Sequence, residues 1–353
     1  MNKKVCFLMV LALMVIGAQA KIRLSHLIGN NMVLQQNTKI RLSHLIGNNM
    51  VLQQNTHVRL WGWAQPNSTV TVMTSWSDER AEASTDENGW WFTTILTPPA
   101  SFEPLSLTFD DGEDQLTIDN VLSGEVWVCA GQSNMEMPVK GFGNCPVLNY
   151  NQEVIDAANY KFIRSVKVPS VMCATPLDDA NCEWRECGPQ TVGDFSATGY
   201  FFAKTAAKAL NIPIGLIEAN KGGTRVESWL TKENLKQHTT DPTDSLAIVI
   251  KWPKVDYLRS LLWGNGTFNP ILNATVKGIL FYQGCSNVGD PGDQYSERLK
   301  LLVKQAAAML SLSGICEARD MNERVITPGG AHGYSTFMGY YILKAKAKAG
   351  DKC

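Results

Sequence analysis

Glu125-Val-Trp-Val-Cys-Ala-Gly-Gln-Ser-Asn-Met135 sets the class of fold. Glu125–Ala130 is a continuous apolar strand, of the kind buried on both faces. A glycine turn follows, and Ser133 opens the next helix. Pro213-Ile-Gly-Leu-Ile217 and Val276-Lys-Gly-Ile-Leu-Phe-Tyr282 also read as buried strands. Ser196 to Leu210 carries a helical period and many alanines. Strands alternating with helices predict an α/β fold with a parallel sheet covered on both faces. Such sheets bind ligands at the carboxyl ends of their strands. Three loops leave those ends: 130–137, 220–229 and 282–287.

Upstream the texture differs. Residues 39–120 alternate apolar and polar positions in short runs, as in Val58-Arg-Leu-Trp-Gly-Trp63 and Leu105-Ser-Leu-Thr-Phe109. Turn residues such as Pro66-Asn67 and Asp86–Gly89 separate the runs. That spacing predicts a β-sandwich. Residues 21–38 read KIRLSHLIGNNMVLQQNT, and residues 39–56 repeat them letter for letter. The second copy runs directly into His57-Val-Arg-Leu. Residues 39–56 are therefore expected to enter the sheet and Lys21–Thr38 to be the extra copy. At the start, Lys3 and Lys4 precede an apolar run, Val5–Ile16, and a small-residue exit, Ala18-Gln-Ala20. That is the pattern of a secretory leader cleaved after Ala20. The expected organisation is a leader at 1–20, a β-sandwich at 21–120 and an α/β domain at 121–353. A periplasmic or secreted protein with no membrane attachment after cleavage is expected.

The chain has 353 residues, 44% hydrophobic and 18% charged, with a net charge of −1. Those values fit a folded, two-domain protein and exclude a disordered one. No basic excess is present to hold nucleic acid. Nine cysteines occur, of which Cys6 lies in the leader. Sequence cannot choose among the pairings of the other eight, although Cys145, Cys173, Cys182 and Cys187 cluster and suggest a local staple. No Cys-x-x-Cys or paired-His spacing suggests zinc.

Each loop alone has a plain reading and a chemical one. Ser133, after a buried strand and a glycine, is a helix cap or a nucleophile. Gly222-Gly223 is an ordinary turn or a place of close backbone approach to a ligand. Gln283 and Asn287 can donate amide hydrogen bonds.

Taken in order, Gly131-Gln-Ser-Asn-Met135, Gly222-Gly-Thr224 with Glu227-Ser-Trp229, and Tyr282-Gln-Gly-Cys-Ser-Asn287 are distinctive. Together they resemble the sialate O-acetylesterase family, a branch of the SGNH hydrolases. Asn49-Met-Val-Leu-Gln-Gln54 is similar to that family's opening strand. The resemblance covers roughly residues 39–300. It implies an SGNH-type, flavodoxin-like three-layer sheet and hydrolysis of acetyl esters on carbohydrates, with no metal or organic cofactor. It implies that Ser133 is the nucleophile. The oxyanion donors would be the Ser133 N–H, the N–H of Gly222 or Gly223, and the side-chain amide of Gln283 or Asn287. Cys285 stands where the commonest family pattern has Glu.

The family carries an Asp-x-x-His near its C-terminus. His332 is the histidine placed that way, before a final Ala/Lys-rich helix. Gly329 stands where the family has its Asp, and Asp320 is the nearest alternative for orienting the imidazole. His238 lies in a polar, loop-like stretch. The span between the third loop and His332 is short, which predicts the loss of one or more sheet elements. The resemblance leaves an esterase on O-acetylated sialic acid or on acetylated xylan, a glycan-binding relative without turnover and, ranked last, a general SGNH lipase or thioesterase.

Overall fold

The computed structural model describes residues 39–238, 243–244, 260–312, 315–319 and 342–346. The expected leader, the first copy of the repeat, Asp320, Gly329 and His332 lie outside them. The second copy supplies β1 (Arg41–Leu42) and β2 (Val51–Gln53), joined by a turn with Asn49 at φ 65°. Then come β3 (His57–Trp63), β4 (Thr69–Thr74), β5 (Ser77–Ser84), β6 (Trp90–Leu96), β7 (Ser101–Asp110) and β8 (Gln115–Gly131).

β8 joins the two textures seen in the sequence. Its first half pairs antiparallel with β7, which continues through β4 to β5. Its second half lies parallel to β11 (Ile214–Asn220) and β13 (Gly278–Tyr282). β9 (Ile163–Lys167) and β10 (Trp184–Glu186) extend the sheet beyond β11. With β2, which also lies parallel to β8, the result is one mixed nine-stranded sheet. The burial pattern changes along β8 as its role does. Exposed and buried positions mingle up to Asn120, and every residue from Val121 to Gly131 is buried. The boundary expected between residues 120 and 121 therefore falls inside one continuous strand.

β1, β3 and β6 form a separate three-stranded sheet. Its Val58, Leu60, Trp91 and Ile95 share a core with Val70, Val72, Leu107 and Phe109 of the antiparallel arm. Trp91 meets Phe109 at 5.8 Å.

Helices cover both faces of the parallel part. On one face lie α1 (Ser133–Glu136), α2 (Tyr150–Asp156) and α3 (Ala197–Leu210). α3 is capped by Ser196, whose Oγ accepts the Gly199 N–H at 3.1 Å. It buries Tyr200, Ala203 and Ala207 against Cys129, Leu216 and Leu280. After α4 (Lys232–His238), α5 (Gln294–Met309) packs Leu299, Leu302 and Ala306 into the core that holds Val128, Ile217 and Phe281. His238 thus ends a helix, not a loop. No helix among the described residues is long and apolar enough to cross a membrane.

Beyond α5 the chain departs from expectation. β12 (Thr275–Val276) pairs with β14 (Ser311–Leu312), and β15 (Ile315–Arg319) with β16 (Ile342–Lys346). The Ala/Lys-rich stretch expected as a helix is a strand over 342–346. Its Lys residues alternate strictly with Leu and Ala, a period of two that suits a strand. No later strand pairs with β13 among the described residues.

Among the described residues no disulfide joins Cys145, Cys173, Cys182 and Cys187, the expected staple. Cys187 is buried on the α3 face, whereas Cys182 packs against the other core. Burial pushes both thiols up to about 12.

Candidate active site

Asn220 of β11 and Tyr282 of β13 both pair with Gly131 of β8. All three strands therefore end at one level, and their loops share one edge of the sheet.

Ser133 is the first residue of α1 and is half-buried. Its N–H and its hydroxyl make no hydrogen bond among the described residues. The first bonds of the helix come from the N–H groups of Met135 and Glu136 to the Gln132 carbonyl (2.8 and 2.9 Å). Gln132 itself ties the first loop to the third. Its Oε1 accepts the N–H groups of Gly284 (3.0 Å) and Ser286 (3.3 Å).

The second loop turns at Lys221–Thr224. Thr224 Oγ1 donates to the Lys221 carbonyl at 2.7 Å, and Gly223 takes φ 78°, which suits a residue without Cβ. At Gly222 the constraint is space. A Cβ there would lie 2.7 Å from Glu136 Oε2 and 3.5 Å from Ser133 Cβ. The Gly222 N–H donates to Glu136 Oε2 at 2.6 Å. The Gly223 N–H has no partner among the described residues.

Gln283 and Asn287 are both buried, and their amides are already engaged. Gln283 Nε2 donates to the Thr224 carbonyl and to Asn287 Oδ1, both at 3.0 Å. Asn287 Oδ1 also accepts the Val226 N–H at 2.9 Å. Its Nδ2 donates to Glu227 Oε2 (2.8 Å) and Asp290 Oδ2 (2.9 Å). The two amides stitch loop two to loop three. Cys285 is exposed beside them.

Below the stitch lies a charge cluster. Arg225 pairs with Asp290 and with Glu227 (3.3 Å), and Arg298 of α5 with Glu227 and with Asp290 (3.5 Å). Burial pushes the Asp290 carboxyl up, but bonds from Asn287 and Arg225 outweigh it and hold the group below the usual carboxylate range. Burial likewise opposes the charge on Arg225, and Glu227 and Asp290 more than restore it.

Glu218 is different. It is 1% exposed on β11, where its Oε1 accepts from Ser165 Oγ (2.7 Å) and the Ser196 N–H (2.8 Å). Its Oε2 has no hydrogen-bond partner among the described residues. Burial raises its pKa, the bonds only partly offsetting it. A carboxyl whose folded pKa is raised holds its proton in the native state where the unfolded chain has lost it. Its contribution to stability therefore falls as pH rises from 4.5 through the folded pKa. Glu218→Gln keeps the acceptor without the charge. Its unfolding free energy is expected to fall less than the parent's across that window, as urea titrations at stepped pH would measure. Parallel pH profiles would refute this.

Ser133, Gly222, Gly223, Gln283 and Asn287, the residues expected from the sequence, all lie on loops at one edge of the sheet. Glu136, Asp290 and Arg298 are not among the expected residues. Arg298 had a legible signal. It lies on the buried stripe of α5 with Leu299, Leu302, Gln305 and Ala306, where a charge needs a partner. Among the described residues no group of three or more His, Cys, Asp or Glu could hold a metal.

The sequence model of the carbohydrate esterase, sialic acid-specific acetylesterase family matches residues 123–316, which contain all three loops. The chain belongs to that family. Human sialate O-acetylesterase is 28% identical over 265 residues, covering 69% of this chain and 48% of the human protein. The mouse enzyme is 28% identical over 278 residues, covering 67% and 50%. The chain thus spans about half the length of these family members. Among solved structures, a carbohydrate acetylesterase from Xanthomonas citri superposes with a TM-score of 0.64 at 28% identity, covering 76% of this chain and 57% of that one.

Proposed function

We propose that the chain is an exported carbohydrate O-acetylesterase acting on sugars such as O-acetylated sialic acid. One observation carries this reading. Gly222 lies against the Ser133 side chain, and the N–H groups of Ser133 and of Gly223, the next residue, make no hydrogen bond among the described residues. That arrangement offers a nucleophile and oxyanion donors within one small space.

In this reading Ser133 Oγ attacks the acetyl carbonyl and His332 takes its proton. The N–H groups hold the oxyanion. The C–O bond to the sugar breaks, and His332 returns the proton to the leaving alkoxide. Water, deprotonated by His332, then attacks the acetyl-enzyme. Acetate leaves and the proton returns to Ser133. Asp320 orients the imidazole. Ser–His acyl transfer needs no cofactor. The reading includes an SGNH-type, flavodoxin-like three-layer domain at 121–353, a β-sandwich at 21–120 and a leader at 1–20. Support comes from the family match, and from helices on both faces of the parallel strands.

The test is acetate release by the full chain from O-acetylated sialic acid and from acetylated xylan. Release from the sialic acid ester is the expected result. Release from xylan alone would move the substrate to a plant polysaccharide. No release from a cooperatively folded protein would overturn the esterase and leave a glycan-binding relative.

A further inference from the structure

Glu136 sits one helical turn after Ser133. Its Oε2 accepts the Gly222 N–H at 2.6 Å, and its carboxylate makes no other hydrogen bond among the described residues. The point where a Gly222 Cβ would stand lies 2.7 Å from that oxygen and 3.5 Å from Ser133 Cβ. Carboxylate, turn and nucleophile therefore meet at one spot.

This contact separates two glycines that sequence could not. A tetrahedral oxyanion on the Gly222 N–H would share one donor with a carboxylate oxygen, and like charges that close repel. The Gly223 N–H has no such competitor among the described residues. We propose that Glu136 is a positioning residue. It tethers the Gly222 N–H to the helix that carries the nucleophile, and so leaves the N–H groups of Gly223 and Ser133 to bind the acetyl oxyanion. The proposal rests on the esterase reading. Its physical advantage is that donor and nucleophile move as one unit, since oxyanion donors act only when held in place before the charge develops. Misplacement by about 1 Å costs on the order of a hundredfold in rate.

The experiment uses the full chain with p-nitrophenyl acetate as probe, comparing the parent with Glu136→Ala and Glu136→Gln. Glu136→Ala is expected to lower kcat by about tenfold to a hundredfold with little change in KM. Glu136→Gln keeps an oxygen that accepts the Gly222 N–H, and is expected to recover most of that loss. An alanine variant as active as the parent would overturn the proposal. So would a glutamine variant as impaired as the alanine, because the charge and not the tether would then matter. A second readout is independent of turnover. In protein labelled with ¹⁵N-glycine, the Gly222 amide proton is expected to shift upfield in Glu136→Ala. An unmoved resonance overturns the tether, even if Ser133-dependent release is intact. Absence of Ser133-dependent release in the parent overturns the esterase reading, and with it the catalytic half of the proposal, whatever the resonance does.

Discussion

Ser133→Ala is expected to abolish acetate release while leaving the unfolding transition where it is. The stability half follows from the structure. The serine hydroxyl makes no hydrogen bond among the described residues, and the residue is half-buried. Its removal orphans no partner and opens no cavity, so the change should lie within roughly 0.5 kcal/mol. The activity half follows from the proposed chemistry. Without Oγ no acetyl-enzyme forms, and single knockouts of such nucleophiles cost roughly 10⁴–10⁶ in kcat. The alanine keeps its backbone N–H, so the loss reports the nucleophile and not the oxyanion site. Initial rates of acetate release and thermal melts would measure both halves. Retention of more than about 1% of activity would contradict a loss of that size. Residual activity abolished by thiol alkylation would transfer the attack to Cys285, the exposed thiol of the third loop.

Much of the fold was legible because burial dictates composition. The runs at Glu125–Ala130, Pro213–Ile217 and Val276–Tyr282 became parts of β8, β11, β12 and β13, since a strand covered on both faces must be apolar throughout. What the runs did not reveal was continuity. The alternating half of β8 and its apolar half belong to one strand, and local pattern has no term for a strand that leaves one environment for another. The 342–346 segment failed for a different reason. The resemblance predicted a helix there, but Lys–Ala alternation is a strand pattern, and the local period prevailed.

The site was legible where residue type alone limits the choice. Ser133, Gly222 and Gly223 could be named from one sequence because few side chains fit a nucleophile or a crowded turn. The amides were legible as residues but not as roles. Gln283 and Asn287 each bridge two loops, and which partner takes an amide is decided by packing between residues some sixty positions apart. Glu136 was hidden for the same reason. Its partner, Gly222, is 86 residues away.

Arg298→Met is the second large effect, and it acts through stability. Arg298 is 8% exposed and Glu227 2% exposed, and the guanidinium faces both Glu227 and Asp290. Methionine fills much of the same length but carries no charge. Two carboxylates would then share Arg225 alone, within a shell that admits little water. Removing one partner from such a buried cluster typically costs about 3–5 kcal/mol, mostly from the charges left uncompensated. Urea unfolding should show that loss as a lower midpoint at unchanged slope. Adding Glu227→Gln to Arg298→Met should restore part of it. The amide oxygen can still accept from one of Arg225 and Asn287, and the group no longer needs a counter-charge, so the cycle should give a coupling of about 1–3 kcal/mol. A loss below about 1 kcal/mol would mean that solvent screens the cluster as it does surface pairs. Activity should fall with stability. Asn287 is held by Glu227 and Asp290 and in turn holds the Val226 N–H, two residues beyond the Thr224 end of the glycine turn. Loosening the cluster would release that turn, so kcat should drop more than KM rises even at temperatures where the variant remains folded.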